Sequence, residues 1–185
     1  MKNAAVGAIE FSSIGVGYRA EDELLKSATV DLLIARSICS GKFLIVFSGL
    51  VSDAEAAMAA ALAAGGEAVV DSLLVPSAHP AIFPAMAQSV VLSPEELGAL
   101  GVVETFSATS ALVAADTAAK AANVTLFKLH LAMALGGKGL LLMTGTVANV
   151  EAAVDAAVEA VKEHGLLVTT TVIARPQREL FEDYL

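Results

Sequence analysis

The sequence predicts an α/β fold of the α+β, ferredoxin-like kind, βαββαβ, written twice in one chain of 185 residues. Three observations carry this. The chain repeats itself, each copy alternates strand-like and helix-like patterns in the same order, and its hydrophobicity comes from small residues suited to close packing of helices on a sheet. The apolar share is 56%, yet aromatics make up 5% and there is no Trp.

The repeat is read directly from residues. Gly7-Ala8-Ile9-Glu10 returns as Gly101-Val102-Val103-Glu104, and Asp22 and Lys26 return as Asp116 and Lys120, all at an offset of 94. The offset then becomes 96, with Gly41-Lys42 matching Gly137-Lys138 and Glu55-Ala56-Ala57 matching Glu151-Ala152-Ala153. Two residues are thus inserted just before the second Gly-Lys turn. Pairing Gly65 with Gly165 and Pro76 with Pro176 gives an offset of 100, and places four more residues, about one helical turn, inside the second long helix.

Each copy reads in the same order. A strand (Ala5 to Ser12; Gly101 to Ser107) precedes a helix (Gly17 to Ser27; Ser110 to Ala121). The next strand is Asp31 to Ile38 or Thr125 to Met133, and the latter alternates Leu129, Leu131 and Met133 with Lys128, His130 and Ala132. A Gly-Lys turn leads to a buried strand, Phe43 to Ser48 or Leu140 to Thr144. An Ala-rich helix follows. Ser52-Asp53-Ala54-Glu55 is the predicted capping box in the first copy and Asn149 the predicted cap in the second, with Gly65 and Gly165 as stops. A last strand runs into Pro76 or Pro176. Gln88 to Leu100 is the linker, the domains are 1–91 and 92–185, and Gln177 to Leu185 is a short amphipathic helix.

Composition excludes several functions. Mean hydropathy is +0.72, but no run reaches the roughly 18 apolar residues that a membrane-spanning helix needs. The start, Met1-Lys2-Asn3, lacks the shape of a signal peptide. A net charge of −9 makes nucleic acid an unsuitable partner. The single cysteine, Cys39, forms no disulfide within a chain, which fits the cytoplasm. Gly-Lys-Phe at 41–43 and Gly-Lys-Gly at 137–139 both fail the phosphate-loop spacing. Glu10 and Glu104 are repeat equivalents, so one structural role played twice is expected. His79, His130 and His164 occupy unrelated places and show no metal-ligand spacing. No catalytic set emerges, so the chain is read as a non-enzyme.

Each copy resembles the bacterial microcompartment shell domain. The matching pieces are the Gly-x-x-Glu strand, the Asp-x-x-x-Lys helix, the Gly-Lys turn, the Gly closing the next strand (Gly49; Gly145), and Val-Ile-Ala-Arg-Pro at 172–176. The resemblance implies a tandem, unpermuted shell protein. Such a protein forms a homotrimer of pseudo-hexagonal outline and tiles with other shell proteins around encapsulated enzymes, redox enzymes among them, within the cytoplasm. It implies a central pore edged by Ile38, Ser40, Gly41, Leu135, Gly136 and Gly137, and tile edges at Lys26, Lys120 and Arg175, with Val75 standing before Pro76 in the first copy. Ser37-Ile38-Cys39-Ser40-Gly41-Lys42 is similar to a branch whose pore-loop cysteines hold one [4Fe–4S] cluster per trimer, for electron transfer or cluster delivery; Ser40 stands where that branch has proline, which makes this loop the more mobile. Two other readings remain open: a cluster-free tile whose pore passes a polar metabolite, and a cytoplasmic ferredoxin-like sensor that does not tile.

Overall fold

The computed structural model describes residues 5–162 and 166–185. The predicted stop Gly165, His164 and the first four residues lie outside them. The chain divides into two units. Unit 1 comprises residues up to Ala78 together with Met133–Gly137, and unit 2 comprises His79–Ala132 and Lys138–Leu185.

Unit 1 holds β1 (Ala5–Phe11), α1 (Ile14–Ser27), β2 (Asp31–Ile38), β3 (Lys42–Gly49), α2 (Val51–Gly65) and β4 (Val69–Val75). The sheet order is β2-β3-β1-β4, antiparallel throughout. Helices α1 and α2 pack together on one face. Ile9, Phe11, Leu24, Phe43, Ile45, Phe47, Ala57 and Met58 fill the space between. The Gly of the Gly-x-x-Glu motif has a packing cause: a Cβ on Gly7 would sit 2.2 Å from the Phe47 ring.

Unit 2 holds α3 (Ile82–Met86), β5 (Ala99–Thr105), α4 (Ala108–Ala121), β6 (Thr125–Leu131), β7 (Gly139–Gly145), α5 (Val147–Lys162) and β8 (Leu167–Ile173). Its sheet, β6-β7-β5-β8, has the same topology. A Cβ on Gly101 would meet Val150 and Met143 within 2.8 Å, so the motif glycine serves the same close approach here. Both sheets carry the same irregularities, after Glu10 and Glu104 against the last strand and after Leu32 and Leu126 against the third. The predicted element order is therefore present twice and is not permuted.

Several local expectations are corrected. The capping box at Ser52–Glu55 does not form: α2 starts at Val51, Leu50 is its cap residue, and Leu50 makes no side-chain cap bond. Asn149 is not a cap either. It lies inside α5, its amide N–H donates to Thr146 Oγ1, and its side chain donates to the Asn123 carbonyl. Ser13 and Ser107 cap α1 and α4, so both helices begin earlier than periodicity placed them. A capping box does exist, in the linker, where Ser93 and Glu96 bracket a tight turn at Pro94–Glu96. Helix α3 was not predicted. β6 ends at Leu131, because Ala132 turns to φ +63°; Met133 therefore leaves the alternating face and is exposed.

The offset of 100 is also overturned. Val6 pairs with Val75 and Leu100 with Ile173, which sets β4 against β8 at an offset of 98. Only two residues, not a helical turn, are added between α2/β4 and α5/β8. Pro76 thus corresponds to Ala174, and Arg175 to Ser77. The tail is a 3-10 segment, Arg178–Tyr184, and not a regular amphipathic helix. Its Phe181 is buried with Leu92, Leu100 and Phe127, and Tyr184 meets Phe127 edge to face at 4.8 Å.

Candidate functional site: a cysteine in an amide cradle

The turn between β2 and β3 carries Cys39. Antiparallel pairing brings the foot of this turn beside β1, and an ion pair fixes it there: Lys42 Nζ donates to Glu10 Oε2 at 3.1 Å. Glu10 is fully buried and Lys42 mostly so. In unit 2, Lys138 and Glu104 repeat the pair at 2.9 Å, in a more exposed setting. The Gly-Lys turn and the Gly-x-x-Glu strand, separate motifs in the sequence, are thus two halves of one contact. The structural role expected of Glu10 and Glu104 takes this form.

Above that foot the turn is left-handed. Ser40 has φ +68° and Gly41 φ +72°. Proline, locked near −65°, cannot occupy Ser40's conformation. The second turn is two residues longer and more contorted, with Ala132, Ala134, Gly136 and Gly137 all at positive φ. Ala132 and Ala134 have no glycine's freedom there, so the conformation costs about 1 kcal/mol or more per residue. Residues 133–137 of this turn belong with Cys39 in unit 1.

The contortion aims main-chain amides at one atom. Ala134 N–H donates to Cys39 Sγ at 3.1 Å, and the neighbouring amides of Leu135, Gly136 and Gly137 add to the field that favours negative charge on the sulfur. Successive amides in such a conformation form a nest that favours an anion. Partial burial pushes the Cys39 thiol up, but the four amides, Gly136 foremost, together outweigh it and hold the thiol below the ordinary cysteine value. The half-buried cysteine is thus shifted toward the thiolate, the form that ligates metal. Among the described residues no three His, Cys, Asp or Glu side chains gather at one place. One chain offers a single soft ligand with its hydrogen-bonding shell already in place. A thiolate is a soft donor of the kind that iron–sulfur groups take.

The remaining predicted residues are placed as follows. Ser40, Gly41 and Gly136 are exposed at the turns, Leu135 is half-buried, and Ile38 and Gly137 are buried. Lys26 is exposed and pairs with Asp22 at 2.5 Å, a contact that raises its pKa. Lys120 pairs with Asp116 at 2.5 Å, and Arg175 is exposed just after β8. His79 donates its main-chain N–H to Asp116, and His130 shares a hydrogen bond with Gln88. Sequence reasoning missed the amides of 134–137, because main-chain donors leave no residue-type signal. The available clue was the two-residue insertion. No helix among the described residues is long and apolar enough to cross a membrane.

Comparison with known proteins agrees with the duplicated geometry. The model of the BMC domain matches residues 5–78 and again 99–176, spacings that reproduce the offsets of 94 and 98. The chain is 41% identical to the bacterial microcompartment shell protein PduT of Citrobacter freundii over 177 residues, 96% of this chain and 95% of that one. It is 30% identical to the carboxysome assembly protein CcmO of Synechococcus elongatus, covering 96% of this chain and 67% of that one. Among solved structures, a microcompartment protein from Desulfitobacterium hafniense DCB superposes with a TM-score of 0.87 at 38% identity, covering 96% and 97% of the two chains. A fused permuted hexameric shell protein of the RMM microcompartment gives 0.64 at 28% identity, covering 87% of this chain and 82% of that one. The chain belongs to the bacterial microcompartment shell proteins, a structural family, as a tandem of two BMC domains.

Proposed function

We propose that this shell protein is a trimeric tile whose central pore holds a [4Fe–4S] cluster on three Cys39 thiolates, one from each chain, and passes electrons across the shell. The amide cradle on Cys39 carries the reading. The Ala134 N–H donates to the sulfur and the amides of 135–137 lower its pKa, in a turn that holds two alanines in left-handed conformations. A small buried hydrophobe, the ordinary role of a lone cysteine, needs no such shell. When bound, the cluster supplies one-electron chemistry. The chain supplies the thiolate, fixes its direction through the amides of 134–137, and anchors the turn through Lys42 and Glu10.

Ring closure is supported by the unequal burial of equivalent helices. α4 is buried on nearly every side, whereas α1 buries only Gly17, Ala20 and Leu24. A chain that covers one of two equivalent surfaces and leaves the other open is suited to head-to-tail assembly, which forms a ring where the rotation between copies closes. Within such a ring the two turns alternate about the pore. Lys26, Lys120 and Arg175 face neighbouring tiles, and encapsulated redox enzymes are the partners on the luminal side.

Iron and acid-labile sulfide, measured on protein purified without oxygen, test the cluster. The reading expects about four of each per three chains, a brown solution, and a colourless Cys39→Ser variant. A colourless wild type after full reconstitution overturns the cluster and leaves a tile whose pore passes a small polar molecule.

A further inference from the structure

Helices α1 and α4 present the same stripe in opposite states. Ile14, Tyr18, Glu21 and Leu25 lie along one side of α1 at helical spacing. Tyr18 is 62% exposed, Ile14 and Leu25 are also open, and one Glu21 carboxylate oxygen is buried without a hydrogen-bond partner. The equivalents in α4, Ala108, Leu112 and Ala115, are buried. An open apolar stripe of this kind marks an interaction surface.

Unit 2 shows what belongs there. Residues 79–86, which follow β4 in sequence, lie against β6 and α4. His79 N–H donates to Asp116 Oδ1 at 2.7 Å, while Asp116 gives its other oxygen, Oδ2, to Lys120. Ile82 and Ala85 are fully buried. The offset of 98 gives this strap a second copy in the same chain, with Gln177 for His79 and Leu180 for Ile82. That second strap turns Phe181 and Tyr184 onto its own sheet but leaves Leu180 51% exposed, where Ile82 is 0%. The seat matches as well: Asp22 gives Lys26 the same oxygen, Oδ2, that Asp116 gives Lys120.

We infer that the outward side of the C-terminal strap docks on α1 of a second copy of this chain, with the Gln177 N–H on Asp22 Oδ1 and Leu180 against the stripe of Ile14, Tyr18 and Leu25. The inference rests on the ring reading above and names the segment that closes the ring. The contact is heterologous, strap to helix, and each copy both gives and receives it.

Paired cysteines test it, in a Cys39→Ser background. Asp22→Cys with Gln177→Cys is expected to give a covalent three-chain species on oxidation, read by non-reducing electrophoresis. Asp116→Cys with His79→Cys, the equivalent pair inside one chain, is expected to cross-link without any gain in mass. Leu180→Arg, at an exposed position that leaves the fold of the single chain intact, is expected to weaken assembly at least tenfold in native mass spectra. A wild-type trimer with no Asp22–Gln177 cross-link and no effect of Leu180→Arg overturns the docked strap but leaves the ring. A wild-type monomer at every concentration overturns both.

Discussion

The two β-turns of this chain began as copies and now do different work. The first, residues 38–42, is short and offers a side chain, the Cys39 thiol. The second, residues 132–138, is two residues longer and offers main-chain amides to that same sulfur. Within this chain the first turn supplies the thiol and the second, longer turn supplies its hydrogen-bonding shell. The feet of the turns keep the original equivalence, since the Glu10–Lys42 and Glu104–Lys138 pairs occur in both. The turns differ in length and backbone conformation above these feet, while the pairing of the strands beneath them is the same in both copies.

Moving the cysteine breaks the comparison most sharply. Met133 is the repeat equivalent of Cys39, so Met133→Cys combined with Cys39→Ser offers a thiol without the cradle. The expected iron content is near zero, as in Cys39→Ser alone, although the thiol count per chain is unchanged. Full iron binding by this swap would show that the two turns are interchangeable.

The ion pairs differ in degree. Lys42→Ala leaves the buried Glu10 carboxylate without its ammonium partner and is expected to cost about 3 kcal/mol in urea unfolding. Lys138→Ala, beside the more exposed Glu104, is expected to cost about 1 kcal/mol or less. Equal effects would mean that the first turn is not the more tightly anchored of the two.

Ser40→Gly relieves a left-handed serine and is expected to stabilise the chain by about 0.5–1 kcal/mol with iron content unchanged. The smallest effect concerns the linker. Hydrogen bonds from Ser93 hold the Glu96 carboxyl below the ordinary glutamate value. The charged form is thus preferred in the folded chain, and its contribution is present above the unfolded value of about 4.3. It fades as pH falls through the lower folded value. Glu96→Gln is therefore expected to lower the thermal midpoint slightly at pH 7 and to match the wild type in strong acid.

Much of this architecture was legible because repetition is a signal internal to one chain. The offsets of 94 and 96 located β1 to β3 and β5 to β7, and the two-residue insertion fell in the turn where the structure places it. The third offset failed because Pro76 and Pro176 were matched by identity, whereas strand pairing makes Ala174 the partner of Pro76. Helix caps failed because helices α2 and α5 start at apolar residues, Val51 and Val147, with no side-chain cap on the first. The site was half legible. Cys39 and the Gly-Lys turns stood out by residue type. The cradle did not, since it is built from the amides of Ala134, Leu135, Gly136 and Gly137, which any sequence could supply.

A native mass spectrum of protein purified without oxygen tests the central claim most directly. Three chains of 18.8 kDa make a ring of about 56 kDa, and one [4Fe–4S] cluster adds roughly 0.35 kDa. The account predicts that ring with that added mass in the wild type and the bare ring in Cys39→Ser. A wild-type ring with no added mass, after reconstitution with iron and sulfide, contradicts it.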